Sequence, residues 1–222
     1  MKLHFLSGLP RSGSTLLTSI LYQNPDIHTE GVSGLCDLMW NVSQSVERTN
    51  KLSGNSRDVS ELVKEIPSIY YSDVERPVVI DKCRAWTLPL NIGLIKKYIS
   101  KDPKIVCCTR KLEDIETSFV RLFADNGRDD FFSSVFAEEL QIAAIGLNHA
   151  MLENDSDMFL FVDYDDLVSD PNRELTRIYE FLGLPFFEHD FDNVVNVNQE
   201  DDSVYGLDGM HDVRKKVGVV NV

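Results

Sequence analysis

Four short apolar runs recur along this chain, each separated from the next by segments of helical period. That alternation limits the possible folds more than any other feature. The runs are Leu3-His4-Phe5-Leu6, Pro77-Val78-Val79-Ile80, Ile105-Val106-Cys107-Cys108 and Met158-Phe159-Leu160-Phe161-Val162. Short continuous runs of this kind suit strands buried on both faces of a parallel sheet. Between them the apolar residues recur at helical spacing over residues 14–22, 35–46, 60–71, 89–99, 112–123, 133–152 and 171–182. Asn24-Pro25 and Gly183-Leu184-Pro185 punctuate two of these segments. The pattern predicts a three-layer α/β/α fold with a mostly parallel central sheet, and the glycine-spaced loop after the first run makes it a P-loop-like, nucleotide-binding one. A length of 222 residues suits one domain spanning 1–222.

The first run leads into Ser7-Gly8-Leu9-Pro10-Arg11-Ser12-Gly13-Ser14-Thr15, and then into Leu16, Leu17, Ile20 and Leu21. That is strand, small-residue loop, helix. Such a loop aims several backbone N–H groups at one anion, and the helix N-terminus adds its positive dipole end. The spacing of Gly8, Gly13 and Thr15 follows the Walker A pattern, except that Ser14 stands where the lysine belongs. That lysine reaches the β/γ-phosphates of a nucleoside triphosphate. Its loss keeps the phosphate cradle and gives up the triphosphate clamp. A donor whose reacting group sits on a 5′-phosphate fits better than ATP.

Bulk properties narrow the field. The formal net charge of −14 opposes binding to nucleic acid or to an anionic membrane, so neither is expected as a partner. The N-terminus lacks the pattern of a signal peptide, and no window reaches the ~20 apolar residues of a membrane span. A cytoplasmic location is expected. Cys36, Cys83, Cys107 and Cys108 form no Cys-x-x-Cys pair and are expected as reduced core thiols. No His/Cys/Asp cluster has metal-ligand spacing, so no metal is expected.

The loop Pro10-Arg11-Ser12-Gly13-Ser14-Thr15 resembles the 5′-phosphosulfate loop of sulfotransferases that use 3′-phosphoadenosine 5′-phosphosulfate (PAPS), most closely the tyrosylprotein-sulfotransferase-like and bacterial branches. The resemblance runs through nearly the whole chain in order. Thr109-Arg110 followed by Ser118 resembles the family's 3′-phosphate motif, in which the Arg fork and a hydroxyl hold a phosphate. Val162-Asp163-Tyr164-Asp165-Asp166-Leu167, then Asp170-Pro171 and Phe181-Leu182-Gly183-Leu184-Pro185, resembles a further family segment, and places Tyr164 at a strand end as a nucleotide contact. A late stretch, Gly209-Met210-His211-Asp212-Val213-Arg214-Lys215-Lys216-Val217, matches the basic loop that closes over the nucleotide, with Lys215 or Arg214 as its contact.

The resemblance implies PAPS as co-substrate and a hydroxyl-bearing acceptor. Arg11, Ser12, Gly13, Ser14 and Thr15 would hold the phosphosulfate. Lys82, with Arg84 as the competing cation, would join Arg11 in stabilising the moving sulfuryl group. Glu30 would serve as general base, with His28 as runner-up. Two other readings remain open: a P-loop kinase or ATPase with Asp81 holding the metal, and a non-catalytic nucleotide-binding protein. The acceptor pocket is expected from the loops around Glu30, residues 51–58 and residues 126–130, which leave the acceptor and the oligomeric state undetermined. The polar stretch 191–222 is expected to be irregular, as in a short family member or a chain that stops before a final helix.

Overall fold

The computed structural model of the protein describes residues 1–53, 58–198 and 200–218. Five strands form one sheet: β1 (Lys2–Gly8), β2 (Ile27–His28), β3 (Val78–Lys82), β4 (Ile105–Thr109) and β5 (Phe159–Asp163). Their order is β2-β3-β1-β4-β5, and every pairing is parallel. Eight α-helices are described: α1 (Ser14–Leu21), α2 (Leu35–Leu52), α3 (Glu61–Tyr70), α4 (Pro89–Tyr98), α5 (Leu112–Asp125), α6 (Val135–Glu153), α7 (Tyr164–Ser169) and α8 (Pro171–Leu182).

Strand alternation builds the layers. Phe5, Val79, Ile105 and Cys107 point into one buried cluster, shared with residues of α2 to α6. Leu6, Ile80, Val106 and Cys108 point into the other, shared with α1, α7 and α8. The expected three-layer α/β/α fold is therefore present, with a sheet that is parallel throughout. All four cysteines are free and buried within these layers.

Two elements depart from the sequence reading. The edge strand β2 has only two residues, so it leaves no periodicity to read; Ile27 pairs with Val78 and His28 with Val79. Tyr164 is the first residue of α7 rather than a strand end. Asp163 ends β5 and caps the helix, its carboxylate accepting the Asp165 N–H at 2.9 Å.

Of the C-terminal stretch, residues 191–198 and 200–218 are described; they hold no α-helix or strand, one 3₁₀ turn at Asp202–Tyr205, and several anchors. Leu207, Met210, Val194 and Val217 are buried. The Val194 N–H donates to Lys215 O at 2.7 Å, and the Val217 N–H donates to Phe191 O at 2.8 Å. Residues 54–57, within the loop expected at 51–58, and residues 219–222 lie outside the described residues. No described helix is long and apolar enough to cross a membrane.

Candidate functional site

The site grows from the end of β1. Gly8 has φ +144°, and a Cβ there would sit 2.4 Å from Cys108 O, so only glycine lets β1 lie this close to β4. Arg11 follows at φ 60°, a left-handed conformation that a side chain rarely adopts. The Arg11 carbonyl accepts from Arg110 Nη1 at 3.1 Å, which ties the loop to the end of β4. Gly13 has φ +86°, and a Cβ on it would lie 2.5 Å from the Tyr164 ring.

Gly13 is also the N-cap of α1 and brings no side chain to cap it. The first bond of the helix ladder runs from the Leu17 N–H to Gly13 O at 2.9 Å. The N–H groups of Ser14, Thr15 and Leu16 therefore precede the ladder, at the positive end of the helix dipole. This is the geometry of an anion cradle.

The cradle opens into a cavity of about 600 Å³ on the carboxyl side of the sheet. Its walls come from the loops after β1, β3, β4 and β5 and from residues 208–218, the position where ligands collect in open parallel sheets. Arg11, Arg84, Arg110, Arg121, Arg214 and Lys216 line it, against four aspartates. In a chain of net charge −14 this local excess of cations marks an anion site.

Arg11 spans the cavity. Its Nε donates to Ser118 Oγ at 3.1 Å, and its Nη1 donates to Met210 O. Burial, and next the neighbouring Arg110 charge, lower its pKa from the usual guanidinium value. Two crowded guanidinium groups with little water call for a negative charge between them. The Arg110 guanidinium lies 4.4 Å from the centre of the Tyr164 ring, a cation–π contact. Its Nε is buried and has no hydrogen-bond partner among the described residues. A buried charged donor without an acceptor is costly, which makes this atom a ligand-seeking one.

Lys82, at the end of β3, passes beneath the first turn of α1, and its Nζ donates to Thr15 Oγ1 at 3.0 Å. Burial, and then repulsion from Arg84, bring its pKa down to about 8. Its neighbour Asp81 points to the opposite face. The Asp81 carboxylate accepts from Trp86 Nε1 at 2.6 Å and from the Tyr71 hydroxyl at 2.5 Å, and burial raises its pKa. It is thus engaged in the core, away from the cradle.

The structure brings Arg11, Gly13, Ser14, Thr15, Arg110, Ser118 and Tyr164 to one cavity. Ser12 is turned inward, its hydroxyl donating to Leu9 O at 2.5 Å, so the side chain braces the loop. Lys215 is exposed and lies outside the cavity lining, whereas its neighbours Arg214 and Lys216 line it. Glu30 also lies outside the lining. Its side chain is half-buried, with Oε2 3.6 Å from His28 Nε2. Among the described residues, no group of three or more His, Cys, Asp or Glu side chains is arranged to hold a metal ion.

His211 falls within the late stretch 209–217 singled out in the sequence, where it has no role of its own. It lines the cavity and is buried. Asp202 grips it through Nδ1 at 2.5 Å and through the backbone N–H at 3.1 Å. Its Nε2 stands 3.4 Å from Glu200 Oε2. The other Glu200 oxygen accepts the Val32 N–H at 3.0 Å, which ties the C-terminal stretch to the segment after β2.

Comparison with known proteins bears on the family and the fold. A model described as "Sulfotransferase family" matches residues 5–188. A "Flavonol sulfotransferase-like" protein of Flaveria bidentis is 24% identical over 205 residues, which are 87% of this chain and 62% of the relative. The chain thus spans less than two thirds of that relative's length. The sulfotransferase domain from the Synechococcus PCC 7002 olefin synthase shares its fold, with TM-score 0.58 and 23% identity over 84% of this chain and 74% of that one. The sulfotransferase domain from the curacin biosynthetic pathway gives 0.57 and 18%, over 84% of this chain and 75% of that one.

Proposed function

The chain belongs to the sulfotransferase family, and from that premise we propose that it moves a sulfuryl group from PAPS to a hydroxyl oxygen. One observation carries the choice of donor. The Arg110 guanidinium faces the same cavity as the α1 cradle, with a buried Nε that has no partner among the described residues. Two separate anion-seeking features in one cavity suit a nucleotide with a 5′-phosphosulfate and a 3′-phosphate.

The N–H groups of Ser14, Thr15 and Leu16 hold the 5′-phosphosulfate. Arg110 and Ser118 hold the 3′-phosphate, and Tyr164 keeps the Arg110 fork in plane. Arg11 lies between the two groups and serves both. Arg214, or Lys215 after a shift of the late loop, closes over the nucleotide. Lys82 and Arg11 stabilise the negative charge that builds on the bridging oxygen as its bond to sulfur breaks, the P–O bond staying intact, and the acceptor O–S bond forms. Glu30, oriented by His28, takes the acceptor proton. The products are the sulfate ester and 3′-phosphoadenosine 5′-phosphate (PAP). The kinase reading draws little support. Ser14 replaces the triphosphate lysine, and Asp81 is engaged with Tyr71 and Trp86.

A thermal-shift panel tests the donor. PAP is expected to raise the melting temperature; a ligand at 100 times its Kd adds about 2.7 kcal/mol. Protection by ATP with Mg²⁺ and none by PAP overturns the reading. Glu30→Gln is expected to keep PAP binding and lose at least about 100-fold in turnover. Full turnover in that variant moves the base to another residue, with His28 next in line.

A further inference from the structure

The outer face of α6 carries a pattern that the site does not use. Phe136, Leu140, Ala143, Leu147 and Ala150 are buried against the sheet side. On the opposite side Val135, Ile142, Ile145 and Leu152 are exposed by 58, 53, 65 and 86%. With Glu138 and His149 they occupy positions 135, 138, 142, 145, 149 and 152. The spacing is three, four, three, four, three, the a/d seam of a coiled coil. Six successive seam positions on one 19-residue helix are more than scattered surface residues supply.

The seam is also a palindrome in chemistry. Read from the N-terminal end it runs aliphatic, acid, isoleucine; read from the C-terminal end it runs aliphatic, imidazole, isoleucine. An antiparallel helix pair centred between residues 143 and 144 sets Val135 against Leu152 of a second copy, Glu138 against His149, and Ile142 against Ile145. In antiparallel pairs the a and d positions face one another in this way, and a two-fold axis repeats every contact. The carboxylate–imidazole pairs then flank the isoleucine centre on both sides. A stripe made for an unrelated partner has no reason to match its own reverse.

We propose that α6 is a homodimer interface, with a second copy of this chain packed antiparallel along residues 135–152. The pairing fixes register through Glu138 and His149 and draws its affinity from the four aliphatic side chains. His149 Nε2 lies 3.5 Å from Glu153 Oε1 of its own chain and its Nδ1 is buried, so the second copy's Glu138 would meet the Nε2 edge of the ring.

Sedimentation velocity and light scattering on the 222-residue chain test this. The expected mass is about twice the 25.2 kDa of one chain. Ile145→Lys, at an exposed position, is expected to give a monomer with an unchanged circular-dichroism spectrum. Glu138→Lys and His149→Glu are each expected to weaken the dimer at least about tenfold, and the double variant to restore it. A wild-type chain that stays monomeric at high micromolar concentration overturns the proposal. So does a dimer that survives Ile145→Lys, or a double variant no tighter than the single ones.

Discussion

At the scale of single residues, Lys82 has the most to report about the site. Its folded pKa of about 8 lies below the unfolded value of 10.5. Below pH 8 both states hold the proton, and the cost of burying the ammonium is fully present. Between about 8 and 10.5 the unfolded state binds more protons, so this cost is relieved as pH rises. An anion on the cradle reverses the balance by favouring the charged form. PAP binding is therefore expected to take up a proton above pH 8, and its affinity to fall between pH 8 and 10. Lys82→Met should flatten that slope in calorimetric titrations; a mutant slope equal to the wild-type one removes Lys82 from the site. Arg11, Arg110 and Ser118 were legible in the sequence because each sits at a fixed offset from a strand end. His211 was visible only as a member of the late stretch 209–217 and not as a cavity residue, because its partners are set by long-range packing of the C-terminal stretch. Its link to the segment after β2 joins Glu200 to Val32, 168 residues apart.

The element that matters most is α1 with its glycine N-cap. Gly13→Ala forces a Cβ at φ +86° and 2.5 Å from the Tyr164 ring. The strain is expected to cost about 1–3 kcal/mol, seen as a lower urea midpoint, and the displaced ring loosens Arg110. PAP affinity should drop more than stability alone explains. A variant with wild-type affinity places the cradle elsewhere. The sequence made α1 and its strand visible through glycine spacing and apolar period. It left β2 and α7 unread for physical reasons. Two residues carry no period, and Asp163 serves both as the last strand residue and as a helix cap. Ser12 shows a further limit: a loop hydroxyl is equally able to face the ligand or to brace the turn, and only the backbone path decides.

On the scale of the whole molecule, the C-terminal stretch completes the cavity. Arg11 donates to Met210 O, and Leu207 nearby is fully buried. Leu207→Ala is expected to cost about 2–4 kcal/mol in urea unfolding and to weaken PAP binding by loosening Met210. Unchanged binding separates the stretch from the site. The alternation of apolar runs and helical segments was enough to read three layers from sequence. The wrapping of residues 191–218 was not, since its anchors are isolated apolar residues in polar chain. The sheet order has a further consequence, for biosynthesis. Of the five described strands β1 is made first, yet it lies at the centre of the sheet, between β3 and β4. Its loop closes only against Arg110, so the cradle is incomplete until about 100 more residues have been made, about 5–20 s at usual rates of synthesis. The nascent chain therefore gains its ligand site late, and an excess of nucleotide cannot guide the earliest folding steps.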